Sequence, residues 1–91
     1  MEEKQDMTPY INTQLLLDRI DGRTVSTVKL GEAHAKVHGA AYETVIYNTS
    51  RTQFIESGPF YYQTEEEARK GHERLKNQEE MHMMYLLGAH Y

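Results

Sequence analysis

Thr64–Leu87, TEEEARKGHERLKNQEEMHMMYLL, is the stretch from which the fold is read. Thr64 followed by Glu67 has the spacing of a capping box. The threonine hydroxyl can accept the Glu67 amide hydrogen, and the Glu67 carboxylate can reach back to the Thr64 amide. Glu65, Glu66 and Glu67 place negative charge at the positive end of the helix dipole. Glu65 with Arg69, and Glu66 with Lys70, are i,i+4 pairs in the favourable order. No proline interrupts the run, and Gly88 offers a left-handed stop. The spacing predicts one helix over about 65–87.

The two halves of this helix differ. The first carries a narrow inward stripe of Ala68, Gly71, His72 and Leu75 with charge opposite. Gly71 is about 1 kcal/mol worse than alanine there, so a close approach by a neighbouring backbone is expected. The second half is apolar all round, through Met81, Met83, Met84, Tyr85, Leu86 and Leu87. A helix apolar on every side needs cover on every side. A small domain covers one, so a second copy of the chain is expected at Met81, Met84, Tyr85, Leu86 and Leu87.

Outward from the helix, the chain reads as strands. Asp21-Gly22 is a two-residue hairpin signal between LLLDRI and RTVSTVKL. Pairing across it puts Leu15, Leu17, Val28 and Leu30 on one face and Leu16, Ile20 and Val25 on the other. A short helix from Thr8-Pro9 into Leu15–Leu17 is the competing reading. Tyr42–Asn48, YETVIYN, is the clearest strand, with Glu43, Val45 and Tyr47 opposite Tyr42, Thr44 and Ile46. Gln53–Gln63 returns alongside it, interrupted at Ser57-Gly58-Pro59 by a bulge or bend, and the proline points to a sheet edge. Gly31–Ala41, bracketed by glycines, reads as a connection with room for one helical turn. The expected fold is α+β: an antiparallel meander of three to four strands, at about 14–20, 23–30, 42–48 and 52–62, with one long C-terminal helix on a face. Residues 1–12 are expected to form a disordered or irregular arm, and 13–91 a single domain.

Composition narrows the function classes. The chain has 91 residues, no cysteine and a net charge of −4. Disulfides and cysteine–zinc sites are excluded. No apolar run reaches the ~20 residues of a membrane span. The acidic balance argues against nucleic acid as a main partner, although Tyr42, Tyr47, Phe54, Phe60, Tyr61 and Tyr62 are ring-rich enough to stack bases. Those rings serve core packing or protein binding equally well, and Tyr47, Phe60, Tyr61 and Tyr62 are the expected protein-binding surface. His34 and His38, spaced i,i+4, could face a metal together with His72, yet no H-E-x-x-H motif is present. His72 alone reads as a histidine hydrogen-bonded against the sheet. Serine nucleophile elbows and glycine-rich phosphate loops are missing. The expectation is a non-enzyme without cofactor.

Three pieces in order carry a resemblance: Val25-Ser26-Thr27-Val28 with Leu30-Gly31 and His34; Tyr42-Glu43-Thr44-Val45-Ile46-Tyr47; and Thr64-Glu65-Glu66-Glu67-Ala68 with Gly71-His72. The set resembles a group of small tailed-bacteriophage proteins and covers about Val25 to Leu75. The chain departs from that pattern at Lys29 (an aromatic there), Ala33 (an aspartate) and Val45 (a methionine). The resemblance implies a phage origin, a strand-strand-helix core and no particular activity. With it comes an expected role: binding and redirecting or inhibiting a host bacterial protein in the host cytoplasm, as a homodimer or higher homo-oligomer. RNA polymerase, a nucleoid or replication factor, and a AAA+ protease are the target classes this implies. The alternatives are a counter-defence nucleotide binder using Arg51, Tyr61 and His72, a metal-dependent enzyme using His34, His38 and His72, and a minor virion component.

Overall fold

Four strands run antiparallel in chain order, β1 (Thr13–Ile20), β2 (Arg23–Lys29), β3 (Tyr42–Asn48) and β4 (Arg51–Tyr62), and a 22-residue helix, α2 (Glu65–Leu86), lies across all four on one face. A shorter helix, α1 (Glu32–His38), joins β2 to β3. The computed structural model describes residues 7–49 and 51–86, with side chains for all of these except 51–54 and 83–86. The meander with one long helix is the α+β fold expected from the pattern.

Local chemistry explains each boundary. Asp21 and Gly22 both take positive φ, 36° and 86°, as the tight turn between right-twisted strands demands. At the head of α2 the Glu67 amide donates to the Thr64 hydroxyl at 3.2 Å, and that hydroxyl donates to the Glu67 carboxylate at 3.1 Å. The carboxylate thus takes the hydroxyl proton rather than the expected backbone amide. Glu65–Arg69 and Glu66–Lys70 form their i,i+4 bridges, each at 3.0 Å.

One segment differs from the sequence reading. Gly31–Ala41 holds a seven-residue helix, α1, instead of a connection with one turn. The glycines that look like breakers are its boundaries: Gly31 is the extended residue before it, and Gly39 ends it at φ 63°. Glu32 in its first turn and Lys36 and His38 in its last suit the helix dipole. In the expected N-terminal arm, Thr8–Tyr10 forms one 3-10 turn with Pro9 inside it, and β1 begins at Thr13 after two irregular residues. This turn lies against α1. The Asn12 side chain accepts the Gly31 amide at 2.9 Å, Tyr10 meets the His34 ring edge-on, and a Cβ on Gly31 would fall 2.5 Å from the Pro9 carbonyl oxygen.

One bulge hides in the run of three leucines. The register passes from Gln14 opposite Val28 to Leu16 opposite Thr27, leaving Leu15 unpaired. The Gln14 side-chain amide fills the gap, donating to the Leu16 and Thr27 carbonyls at 2.7 and 3.0 Å. At the other edge, β4 shifts register around Gly58, which has φ 100° and a cis bond to Pro59. A proline without an N–H is tolerated on an edge strand, and β4 is one.

The core lies between sheet and helix. Val25, Ile46 and Leu75 form its centre, with Ile20 and Phe60 packed against them. Ala68, Gly71, His72 and Leu75, the expected stripe, are all buried. The close approach at Gly71 comes from a side chain and not from a backbone: a Cβ there would collide with the phenol of Tyr62.

Candidate binding face

Strand pairing sorts every side chain to one of two faces. The covered face holds Leu16, Asp18 and Ile20 of β1, Val25 and Thr27 of β2, Tyr42, Thr44 and Ile46 of β3, and Phe60 and Tyr62 of β4. The open face holds Leu17 and Arg19, then Thr24, Ser26 and Val28, then Glu43, Val45 and Tyr47, and finally Ile55 and Tyr61.

On the covered face a polar chain runs through the core. His72 donates from Nε2 to the Asp18 carboxylate at 2.7 Å, and its Nδ1 lies 2.7 Å from the Thr27 hydroxyl. The Thr27 hydroxyl is in turn 2.5 Å from that of Thr44. With Nε2 protonated, a neutral imidazole accepts from Thr27, and Thr27 accepts from Thr44. Every buried polar side-chain atom among the described residues has a partner. This is the histidine hydrogen-bonded against the sheet that its sequence position suggests. Its anchor, Asp18, carries no local signal, because 54 positions separate the two. Carboxylate, imidazole and hydroxyl in series can activate a nucleophile. Here Thr27 and Thr44 are fully buried and His72 is 1% exposed, so no reactant reaches either hydroxyl while α2 is in place. What the arrangement does is pin α2 to β1, β2 and β3 in one orientation.

The far end of α2 is clamped as well. Arg23 bridges Glu56 at 2.6 Å and Glu79 at 3.1 Å, and the Asn48 side chain donates to Glu56 at 3.2 Å. The Arg23 hydrogen bond, followed by that from Asn48, holds the Glu56 carboxyl below its usual range.

The histidines expected as metal candidates are kept apart. His34 stands against Tyr10, and His38 stacks on Tyr61 with ring centres 5.0 Å apart and its Nδ1 3.2 Å from the Tyr61 hydroxyl. His72 is under α2 on the opposite face. Among the described residues no three histidine or carboxylate groups could hold a metal ion. The same separation divides Tyr61 from His72, so the expected nucleotide trio is not assembled. The Arg51 side chain lies outside the described set.

The four aromatic residues expected to form one protein-binding surface divide two and two. Phe60 packs on the core and the Tyr62 phenol fills the space over Gly71. Tyr47 and Tyr61 stay on the open face. Partial desolvation, and then the Glu43 carboxylate through its charge and its hydrogen bond with the phenol, push the Tyr61 hydroxyl up. At the helix end Met81 is 69% exposed, whereas the side chains of Met84, Tyr85 and Leu86, and all of Leu87, lie outside the described residues.

The open face is therefore the candidate site. Leu17, Ile55 and Tyr61 are 50%, 46% and 39% exposed. Between Leu17, Arg19 and Tyr47 sits a hollow of about 360 Å³ floored by Ser26 and Thr24. Small side chains at the centre and large ones around them make the surface concave. No helix among the described residues is long and apolar enough to cross a membrane. No family model, curated protein or solved structure matches the chain.

Proposed function

We propose that this chain is a small, non-catalytic, phage-encoded protein that binds a host bacterial protein and redirects or inhibits it, with the open face of the sheet as its contact surface. The observation that carries the binding role is the concave sheet face opposite α2, not covered by any helix among the described residues, from which Leu17, Tyr47, Ile55 and Tyr61 stand out. An antiparallel sheet facing water normally alternates apolar-in and polar-out. Here Leu17, Val28, Val45, Tyr47, Ile55 and Tyr61 share the outward side with Gln14, Thr24 and Ser26, and only Arg19 and Glu43 are charged among its described side chains. Tyrosines beside aliphatic side chains are favoured anchors at protein interfaces. The host and phage parts rest on the three ordered motifs of the sequence.

A photo-crosslinking amino acid tests the face directly. Placed at Leu17 or Ile55 and irradiated in bacterial lysate, it is expected to give a discrete adduct with one host polypeptide. Placed at Val37, an 80% exposed apolar side chain on α1, it is expected to give none. Equal labelling from all three positions, or none from any, ends the reading.

A further inference from the structure

We infer that the open face closes on a second copy of this chain, related by a two-fold axis lying in the plane of the sheets and passing over Ser26. The inference rests on the reading of that face as a protein-contact surface and names its first occupant.

Charge placement carries it. Arg19 and Glu43 are the two charged groups among the described side chains of this face, and they have opposite sign. Arg19 is in the row Arg19–Thr24–Tyr47, and Glu43 is in the row Gln14–Val28–Glu43. Ser26, in the row Leu17–Ser26–Val45, lies midway between them: one strand over from each and two rows along from each. Two strand spacings by four residue rises put Arg19 and Glu43 about 17 Å apart, too far to pair within one chain. Arg19 has no hydrogen-bond or ion-pair partner among the described residues.

A two-fold through the midpoint, perpendicular to the line joining the two charges, exchanges their positions. Arg19 of each copy then stands over Glu43 of the other, and Arg19 gains the counter-ion it lacks within its own chain, beside the Tyr61 phenol that already meets Glu43. Isologous contact requires this self-complementarity, in which residue i meets j and j meets i. The small side chains fit the same axis. Ser26 and Thr24, 7% and 8% exposed, floor the hollow that lies on this axis, which leaves room there for the Leu17 side chains of the two copies. Leu17, directly paired with Ser26, falls beside the axis and meets its own copy across it. The product is a four-layer helix–sheet–sheet–helix dimer. A foreign target using the same face would have to displace the second copy.

Charge reversal tests the geometry. Wild-type protein is expected to be a dimer by sedimentation equilibrium at micromolar concentration. Arg19→Glu and Glu43→Arg each set like charges against one another twice, and each is expected to weaken the dimer about tenfold or more. The double variant R19E/E43R restores the pairs and is expected to return to within about threefold of wild type. Arg19 is exposed and Glu43 half-buried beside Tyr61, and a circular-dichroism melt of each variant checks the fold. A monomer up to hundreds of micromolar, a dimer indifferent to both single reversals, or single losses that the double variant leaves unrepaired would each overturn the inference. A monomer that still gives the Leu17 host adduct would leave the binding role standing. A restored dimer with no adduct would remove that role and keep the dimer.

Discussion

The two faces of the sheet are built from the same four strands and differ in what they ask of each side chain. Under α2, every buried polar side-chain atom among the described residues has a partner, the apolar ones pack with Leu75, and the Tyr62 phenol fills the space over Gly71. On the open side, small hydroxyls sit at the centre and leucine, isoleucine and tyrosine stand out into solvent. A face already closed resists substitution in proportion to its packing. A face awaiting a partner tolerates change in the isolated subunit and reveals it on association. The sharpest break of this contrast is therefore stability measured at matched positions.

His72→Ala is expected to have the largest effect. It opens a cavity in the core, releases the Asp18 carboxylate, and leaves the Thr27 hydroxyl without its outward partner. Loss of a buried, hydrogen-bonded ring of this kind costs about 3 kcal/mol. Leu17→Ala, on the open face of the same sheet, is expected to stay within about 1 kcal/mol in monomeric protein, because a half-exposed side chain leaves no closed cavity. Urea unfolding at low protein concentration compares them. Equal losses would mean that the faces are not different in kind.

Gly71→Ala is expected to come next, and its sign separates propensity from packing. Helix propensity alone favours alanine by about 1 kcal/mol. The Tyr62 phenol occupies the space the new methyl needs, and overpacking of this kind destabilises by about 1–3 kcal/mol. The substitution is expected to be destabilising in wild type and close to neutral or stabilising in a Tyr62→Leu background. Thermal melts of the four proteins of this cycle measure the coupling. A stabilising Gly71→Ala in wild type would remove Tyr62 as the reason for the glycine.

How far the sequence discloses these features depends on the range of the interaction that makes them. The head of α2 is legible because Thr64, Glu67 and the i,i+4 pairs lie within two turns of each other. The β1–β2 hairpin is legible because Asp21-Gly22 alone sets its register. The short helix α1 is missed because Gly31 and Gly39 read equally well as breakers and as caps. The bulge at Leu15 is invisible in three consecutive leucines, and only the Gln14 amide shows how it is held. Alternation separates Tyr61 from Phe60 and Tyr62, yet which side α2 covers is decided by contacts across the chain. Asp18 with His72, and Tyr62 with Gly71, are of that kind. The candidate face is therefore half legible: Tyr47 and Tyr61 lie on it and Phe60 and Tyr62 do not, hairpin pairing groups Leu17 with Val28 without saying which face stays open, and Arg19 and Ile55 carry no signal.

The smallest expected effect belongs to the clamp at the far end of α2, and its pH dependence sharpens the contrast between an exposed ion pair and the buried chain. Arg23 and Asn48 hold the folded-state Glu56 carboxyl below its unfolded value, near 4.5. As pH falls, the unfolded chain takes up that proton first, so the stabilisation from Glu56 is fully present above the unfolded value. It is lost progressively as pH drops through the lower, folded one. Wild type is thus expected to exceed Glu56→Gln in stability at neutral pH and to converge with it in acid. Because the pair faces solvent, raising the salt concentration at neutral pH is expected to shrink the same difference. His72→Ala should change much less across that salt range, since the cavity it leaves and the Thr27 hydroxyl are closed to solvent and only the Asp18 carboxylate is partly exposed. A salt-insensitive Glu56 effect would place the Arg23 clamp in the closed interior and erase the distinction.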